Sequence, residues 1–482
     1  MSLFSILGST ADTLAAFQTA LNVSQNNVAN ASTPGYASQT QTFDALSFDA
    51  AGGNTGGVAA GELKSSRNEF SEQHVRAQNS QFGTSEQLVQ SLTNLQGNFD
   101  ISGNTGIPAA LSSLYSAFSN WSLSTNDPTA RQGVIQAAQT VTAAFQETAA
   151  GVTAVASDNQ GQLTGLVSQI NGYAANILAD NIKIQNGHKN DPAVSADLNQ
   201  NLESLSEIAN VNSITQSDGT VTVQLGGQTT LVAGNQQYSI SQQISVPATP
   251  PPVYAGAPPN AQLLDSQGNV ITSTVTDGKL AGVLTVLNQT VPSITGDSTH
   301  SGSLNDLAKA LADTVNKLLT SGNVSDGPPA VPGTPLFSYD PANATNAAAS
   351  LNLDPAATAQ GLAAITPANP GGTPPTTEVS NGTALSLAAL SRAGNQISGQ
   401  TFTQYFGTIA ANVGSALSTA TTNQTLQTQL VAQARSLREQ SSGVSLNQEA
   451  VNVVELQTSY QAATKLLTVV DTLTQDILGL VK

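Results

Sequence analysis

The chain has 482 residues, enough for roughly three domains and a sizeable core. Lys and Arg number 14 against 31 Asp and Glu, a formal net charge of −17, and cysteine is absent. Disulfides, thiol nucleophiles and thiolate metal sites are thereby excluded, and a nucleic-acid partner, whose phosphates need clustered cations, is argued against.

Charged residues make up 9% of the chain, against about 25% in an ordinary soluble domain. Solubility must therefore come from Asn, Gln, Ser and Thr. No apolar run reaches the roughly 18 residues that cross a bilayer, so no membrane span is expected. The first cation is Lys64, so neither a secretory n-region nor an Arg-rich transit peptide is read at the start. A Cys-free, amide-rich chain with no such leader points to an unusual export route.

In chain order, Leu3, Leu7, Thr10, Leu14, Phe17, Leu21, Ser24 and Val28 alternate by four and three residues. That is the seam of a coiled-coil helix, or equally of one amphipathic helix on a globular core. The helix should stop ahead of Pro34-Gly35. The glycine-rich run 52–57 has no lysine beside it and reads as a flexible connection. From about Arg67 to Val211 the pattern is helical, with Leu88, Leu92, Leu95 and Phe99, then Leu111, Leu114, Tyr115 and Phe118, at three- and four-residue spacing. Asp127-Pro128 supplies a cap and first turn for a further helix. Near residue 217 the period changes to two. Thr220–Leu225, Gly226-Gly227 and Thr229–Val232 read as a β-hairpin, and β-like sequence continues to Asp277, broken by a proline-rich loop from Pro247.

Helical pattern returns from Leu280 to Leu318, and again over Leu385–Gln396 and Phe402–Glu439. The last segment is the most regular. Val453, Leu456, Tyr460, Ala463, Leu467, Val470, Thr474, Ile477 and Val481 alternate by three and four residues, and Leu466, Val469, Leu473 and Leu480 widen the apolar face. A face that wide needs more than one neighbour. The architecture expected is mainly α with a β-rich insertion. Segments 1–40 and 440–482 form a terminal coiled-coil domain, 41–210 and 278–439 a helical bundle with loops, and 211–277 a β-rich domain at the far tip.

Catalytic chemistry is not legible. His74, His188 and His300 are scattered without ligand spacing, no nucleophile-elbow or zincin pattern occurs, and no carboxylate pair stands out. The Asp-Gly pairs at Asp218, Asp277 and Asp326 lack calcium-loop spacing and read as turns. Neither an enzyme nor a cofactor or metal site is expected.

The segment Ser24–Tyr36, SQNNVANASTPGY, resembles the N-terminal signature of bacterial flagellar axial proteins, through Asn27, Ala29, Asn30, Thr33, Pro34, Gly35 and Tyr36. The tail from Ser442 resembles their C-terminal motif, through Glu449-Ala450, Asn452, Gln457 and Tyr460-Gln461-Ala462. The middle is similar to the hook-associated protein 1 (FlgK) family, at Ile107–Leu111, Asn126–Gln132, Ser217–Val221 and Gly278–Leu284. Rod and hook proteins run into β structure soon after their first helix, whereas this chain is read as running into helices. One departure is Leu198–Glu203, where relatives commonly show an Arg/Asp-containing helix.

The resemblance implies a structural adaptor between hook and filament, assembled outside the cell after type III export. Its partners would be further copies of itself in a ring, the hook protein, a second junction protein and the flagellin side, and a cytoplasmic chaperone at the C-terminal helix. The alternative is another axial subunit, a hook or distal rod protein. Tyr460, Leu467, Val470 and Ile477 would pack against neighbouring subunits.

Overall fold

The computed structural model describes residues 3–49, 54–245, 259–327, 329–369, 372, 376–394 and 396–480. The proline-rich loop from Pro247 up to residue 258, Pro328, Pro375 and the last heptad position Val481 lie outside the described residues.

Helix α1 covers Leu3–Ala29. An antiparallel hairpin follows, β1 (Gln39–Ala45) with β4 (Val58–Ser65), and the short pair β2 (Phe48–Asp49) and β3 (Asn54–Thr55) sits at its far end. The hairpin lies along α1. Phe17 and Phe43 meet edge-on with centroids 5.6 Å apart, and the Val58 N–H donates to Thr13 Oγ1 at 3.2 Å. This corrects one expectation: β structure does follow the first helix directly, with strands at Gln39–Ala45, Phe48–Asp49, Asn54–Thr55 and Val58–Ser65. The strand QTQTFDA hides itself because it has one apolar neighbour, α1, and an otherwise open face, so it shows almost no alternation of burial-prone residues.

The bundle begins with α2 (Glu69–Gln96), whose cap Asn68 accepts from the Ser71 N–H at 3.2 Å. It continues with α3 (Gly106–Leu123) and the 56-residue α4 (Pro128–Lys183), capped by Asp127. A wide turn at Ile184–His188 leads to α5 (Pro192–Ile208), capped by Asp191. Next come β5 (Val211–Thr215), β6 (Val221–Leu225), β7 (Thr229–Ala233) and β8 (Gln236–Gln237), one antiparallel sheet in chain order, then β9 (Ser241–Ser245) paired with β10 (Asn260–Leu264). The β6–β7 turn uses Gly226 and Gly227 at φ +59° and +69°, the left-handed pair that a tight hairpin of this kind needs. Further on lie α6 (Lys279–Thr285), α7 (Val291–Thr295) and α8 (Ser303–Ser321). The short strands β11 (Asn323–Ser325) and β12 (Val331–Pro332) pair with each other. Strand β13 (Phe337–Ser338), helix α9 (Ala347–Ser350) and strand β14 (Asn352–Leu353) precede α10 (Gly382–Ala389). Two long helices close the chain, α11 (Phe402–Ser442), opened by a Thr401/Gln404 capping box, and α12 (Leu446–Leu480).

Two apolar cores hold the body. One joins α3, the first half of α4, α8, α10 and the start of α11 around Phe118, Trp121, Phe145, Phe402 and Phe406. The other joins the second half of α4 with α5, α6 and the sheet around Leu163, Ile170, Leu205, Val223 and Leu231. The class is the one expected, helical with a β-rich insertion, but the insertion is not at the far tip. It lies along the second half of α4, and Ser213, Thr215 and Gly219 share a cleft with Arg67 and Glu69, beside the terminal segments. The reason is packing. Val221, Val223, Leu225 and Leu231 need an apolar partner, and Leu163–Ile177 of α4 supplies it.

With few ions available, side-chain amides tie loops and strands to helices. Asn181 donates to the Val221 carbonyl and accepts from the Val221 N–H, both at 2.8 Å. Asn171 does the same with Ile240 (2.9 and 3.0 Å), Asn288 with Ala261 (2.9 and 2.8 Å) and Asn316 with Phe337 (2.7 and 3.0 Å). Each amide thus stands in for a neighbouring strand, satisfying both backbone groups of one residue.

Candidate assembly site

Helix α12 packs on α1 and runs antiparallel to it. The two meet where the last turns of α1 reach the first turn of α12. There Glu449 is buried, and its carboxylate accepts from the Ser24 hydroxyl and from Asn27 Nδ2, the latter at 2.9 Å. Asn27, 1% exposed, uses its whole amide. Nδ2 also donates to the Gln39 carbonyl at 2.8 Å, while Oδ1 accepts from the Gln39 N–H and the Tyr36 hydroxyl, each at 2.9 Å. Asn27 therefore fastens α1, the turn after it, strand β1 and α12 at one point. Burial and the nearby Glu449 carboxylate both raise the Tyr36 hydroxyl's pKa, keeping it a donor.

The rest of the signature shapes the turn. Asn30 Nδ2 donates to the Asn26 carbonyl at 3.0 Å, and its Oδ1 accepts from the Thr33 hydroxyl at 3.1 Å. The Tyr36 N–H donates to the Thr33 carbonyl at 3.2 Å, closing a four-residue turn with Pro34 and Gly35 in its middle. Gly35 has φ +73°, and a Cβ there would lie 2.5 Å from the Ala196 carbonyl oxygen, so the turn lies directly against α5. Ala29 and Pro34 are exposed.

A chain of ions continues from this turn. Arg67 donates to the Gly35 carbonyl and to Glu72, both at 2.6 Å. Arg438 lies 3.4 Å from Glu72 and 2.5 Å from Glu203, and Arg435 lies 2.9 Å from Glu203. Burial works against the charge on Arg67 and Arg438. It lowers the Arg67 pKa despite Glu72, but for Arg438 the carboxylates of Glu203 and Glu72 outweigh it and raise the pKa. Burial likewise would raise Glu203, but the Arg438 hydrogen bond and the charges of Arg438 and Arg435 hold it below the usual carboxylate range. Glu203 is thus the acid that joins α5 to α11. Ser442 completes the node, its carbonyl accepting from the Ser38 N–H at 2.9 Å and its hydroxyl from the Asn68 N–H at 3.1 Å.

Along α12, the seam positions Val453, Leu456, Tyr460, Ala463, Leu467, Val470 and Thr474 are buried or half-buried, as are Glu449, Asn452 and Ser459. From Val453 to Val470 they lie on the side of α12 that packs on α1. Ile477 is 47% exposed. Counting residue for residue from the Glu449 contact, it lies past Leu3, the first described residue of α1. Val28 of the expected α1 seam is also exposed, its place taken by Asn27. A second stripe, Val451, Val454, Leu466, Val469 and Leu473, points away from α1 and is 48–62% exposed.

Sequence reasoning missed Ser24 and Glu449 as a pair, and the Arg67–Glu203 chain entirely. The first had a signal. Stepping the heptad back from Val453 places Glu449 on the seam, opposite a polar Ser24 in the other helix. The ions had none, since their partners are remote in sequence.

The profile described as flagellar hook-associated protein FlgK helical domain matches residues 92–337, just over half of the chain. The chain belongs to the FlgK family. A flagella basal body rod protein profile matches residues 9–36, and a flagellar basal body rod FlgEFG C-terminal profile matches residues 438–480, which are the two segments that meet at Asn27 and Glu449. Flagellar hook-associated protein 1 of Bacillus subtilis is 29% identical over 180 residues, 36% of each chain. That of Salmonella typhimurium is 29% identical over 328 residues, 65% of this chain and 56% of the relative. These matches span about a third to somewhat over half of the curated relatives' own lengths. The solved flagellar hook junction protein FlgK from Burkholderia pseudomallei superposes with a TM-score of 0.63 at 18% identity, over 76% of this chain and 99% of that one, a likeness of fold.

Proposed function

We propose that the chain is a structural adaptor of the bacterial flagellum that self-assembles between hook and filament. It carries no catalytic role and acts outside the cell after type III export. The observation that carries this reading is the second apolar stripe of α12, which includes Leu466 and Leu473, 59% and 48% exposed. It lies on the terminal helix pair whose two strands match axial-protein profiles. An isolated subunit has no element covering that stripe among its described residues, and a neighbouring copy offers the same kind of surface. Burying one such leucine contributes about 1.5–3 kcal/mol per subunit, multiplied around an assembly. The Asn27–Glu449 node holds the pair at a set angle to the body. Hook protein on one side, a second junction protein and flagellin on the other, and a cytoplasmic chaperone on α12 before export are the partners that fit.

The test is a deletion strain viewed by negative stain. Hooks without filaments, restored by the wild-type chain and not by Leu466→Asp with Leu473→Asp, support the reading. Filaments of ordinary length in the deletion strain refute it.

A further inference from the structure

Ionic charge is unevenly spread over the body helices. Helix α8 carries Asp306, Lys309, Asp313 and Lys317, and α5 carries Asp197, Glu203 and Glu207. Helix α3 carries no charged residue, and α11 carries none before Arg435. These two helices pack on each other at the edge of the first core, where Phe99, just ahead of α3, lies 5.9 Å from Phe406 of α11. One side of α11 rests on α2. The opposite side shows Ser415, Thr419, Thr422, Leu426, Gln429 and Gln433 to solvent, spaced by four and three residues. Leu426, at the centre of this row, is 50% exposed, and Leu123 at the end of α3 is 82% exposed.

In a chain of net charge −17, two copies whose acidic surfaces meet repel, whereas an uncharged surface adds nothing to that repulsion. Within a Debye length of about 8–10 Å the repulsion is hardly screened. A flat row of hydroxyls and amides around an exposed leucine has no such penalty and can hydrogen-bond to its like. We propose that the uncharged exposed side of α11 from Ser415 to Gln433 is a lateral contact with a second copy of this chain. The inference rests on the self-assembly proposed above, and it names a body contact separate from the stripe on α12.

The absence of native cysteine makes the test clean. Thr422→Cys labelled with a benzophenone maleimide and illuminated in assembled flagella should give a band at twice the chain's 49.0 kDa. The same label at Lys317→Cys, on charged α8, should not. Ser415→Glu with Thr422→Glu should leave the melting temperature of the isolated chain unchanged and stop filament growth. Filaments of wild-type length on the double-glutamate strain, or a cross-link from position 422 only to a different protein, overturn the proposal. A labelled Thr422→Cys chain that fails to assemble while labelled Lys317→Cys assembles supports it, since bulk is then excluded at that face alone. If the deletion strain grows filaments unaided, both this contact and the junction reading fall. If that strain lacks filaments but the double-glutamate chain restores them, only the contact falls.

Discussion

A single amide decides how the ends of the chain meet. Asn27 donates to Gln39 and Glu449 and accepts from Gln39 and Tyr36, so no other side chain of its size fills all four roles. Asn27→Asp would exchange the donor for a carboxylate facing the buried Glu449. We expect a loss on the order of 3 kcal/mol or more in the terminal pair, seen as faster amide exchange in α1 and α12 with the body unchanged. The sign of its pH dependence follows. Two adjacent buried carboxyls are relieved only by sharing a proton, which the folded state then binds more tightly than the unfolded one. The variant should therefore regain stability as pH falls through the carboxylate range. Gly35→Ala tests the neighbouring turn. The left-handed backbone costs about 1–2 kcal/mol for a residue with a Cβ, and that Cβ would lie 2.5 Å from the Ala196 carbonyl oxygen. Thermal melts should show a drop larger than the conformational term alone.

At the scale of elements, α12 has two apolar faces with different duties. Leu467 faces α1 and is half-buried, whereas Leu466, one residue away, is 59% exposed. Leu467→Asp should loosen the terminal pair in the isolated chain, by about 1 kcal/mol or somewhat more of lost burial for a half-buried leucine. Leu466→Asp should leave exchange in the monomer unchanged and act only on assembly. Equal effects of the two variants on the monomer would contradict this division. The seam from Val453 to Thr474 was legible because a two-helix contact imposes a strict three-four alternation on one helix. The hairpin at β6–β7 was legible through Gly226-Gly227, whose left-handed conformations few other residues adopt. Strands β1 and β4 were not, because QTQTFDA offers only Phe43 and Ala45 to α1 and is otherwise polar, too little for an alternating signal. The signature around Asn27 was recognisable by resemblance, but its partners were not, since Glu449 lies more than four hundred residues away and only the fold makes them neighbours.

For the whole molecule, the ion chain from Arg67 through Glu72, Arg438 and Glu203 to Arg435 is the main electrostatic tie between the terminal segments and the body. In the folded chain burial would raise the Glu203 pKa, but the hydrogen bond from Arg438 and the charges of Arg438 and Arg435 hold it below the ordinary glutamate value of about 4.5. Its contribution is therefore complete above about pH 4.5 and is lost as pH falls through the depressed folded value. Glu203→Gln should lower stability at neutral pH and flatten the acid limb of the melting-temperature profile. A limb as steep as wild type would assign acid sensitivity to other carboxylates. The remaining ties, at Asn171, Asn181, Asn288 and Asn316, carry no charge, so neither salt nor pH weakens them. Their exposure is to time instead. An asparagine amide hydrolyses slowly to a carboxylate, which keeps the acceptor and loses the donor, leaving the clamped carbonyl unsatisfied at about 1–3 kcal/mol. Asn171 is followed by Gly172, an unhindered neighbour whose backbone nitrogen can attack the Asn171 side-chain carbonyl and expel ammonia once the helix opens, water then opening the ring to a carboxylate. Chemical ageing at that position, rather than a change of medium, would release one of the amide clamps that supplement the apolar core holding the β insertion on α4.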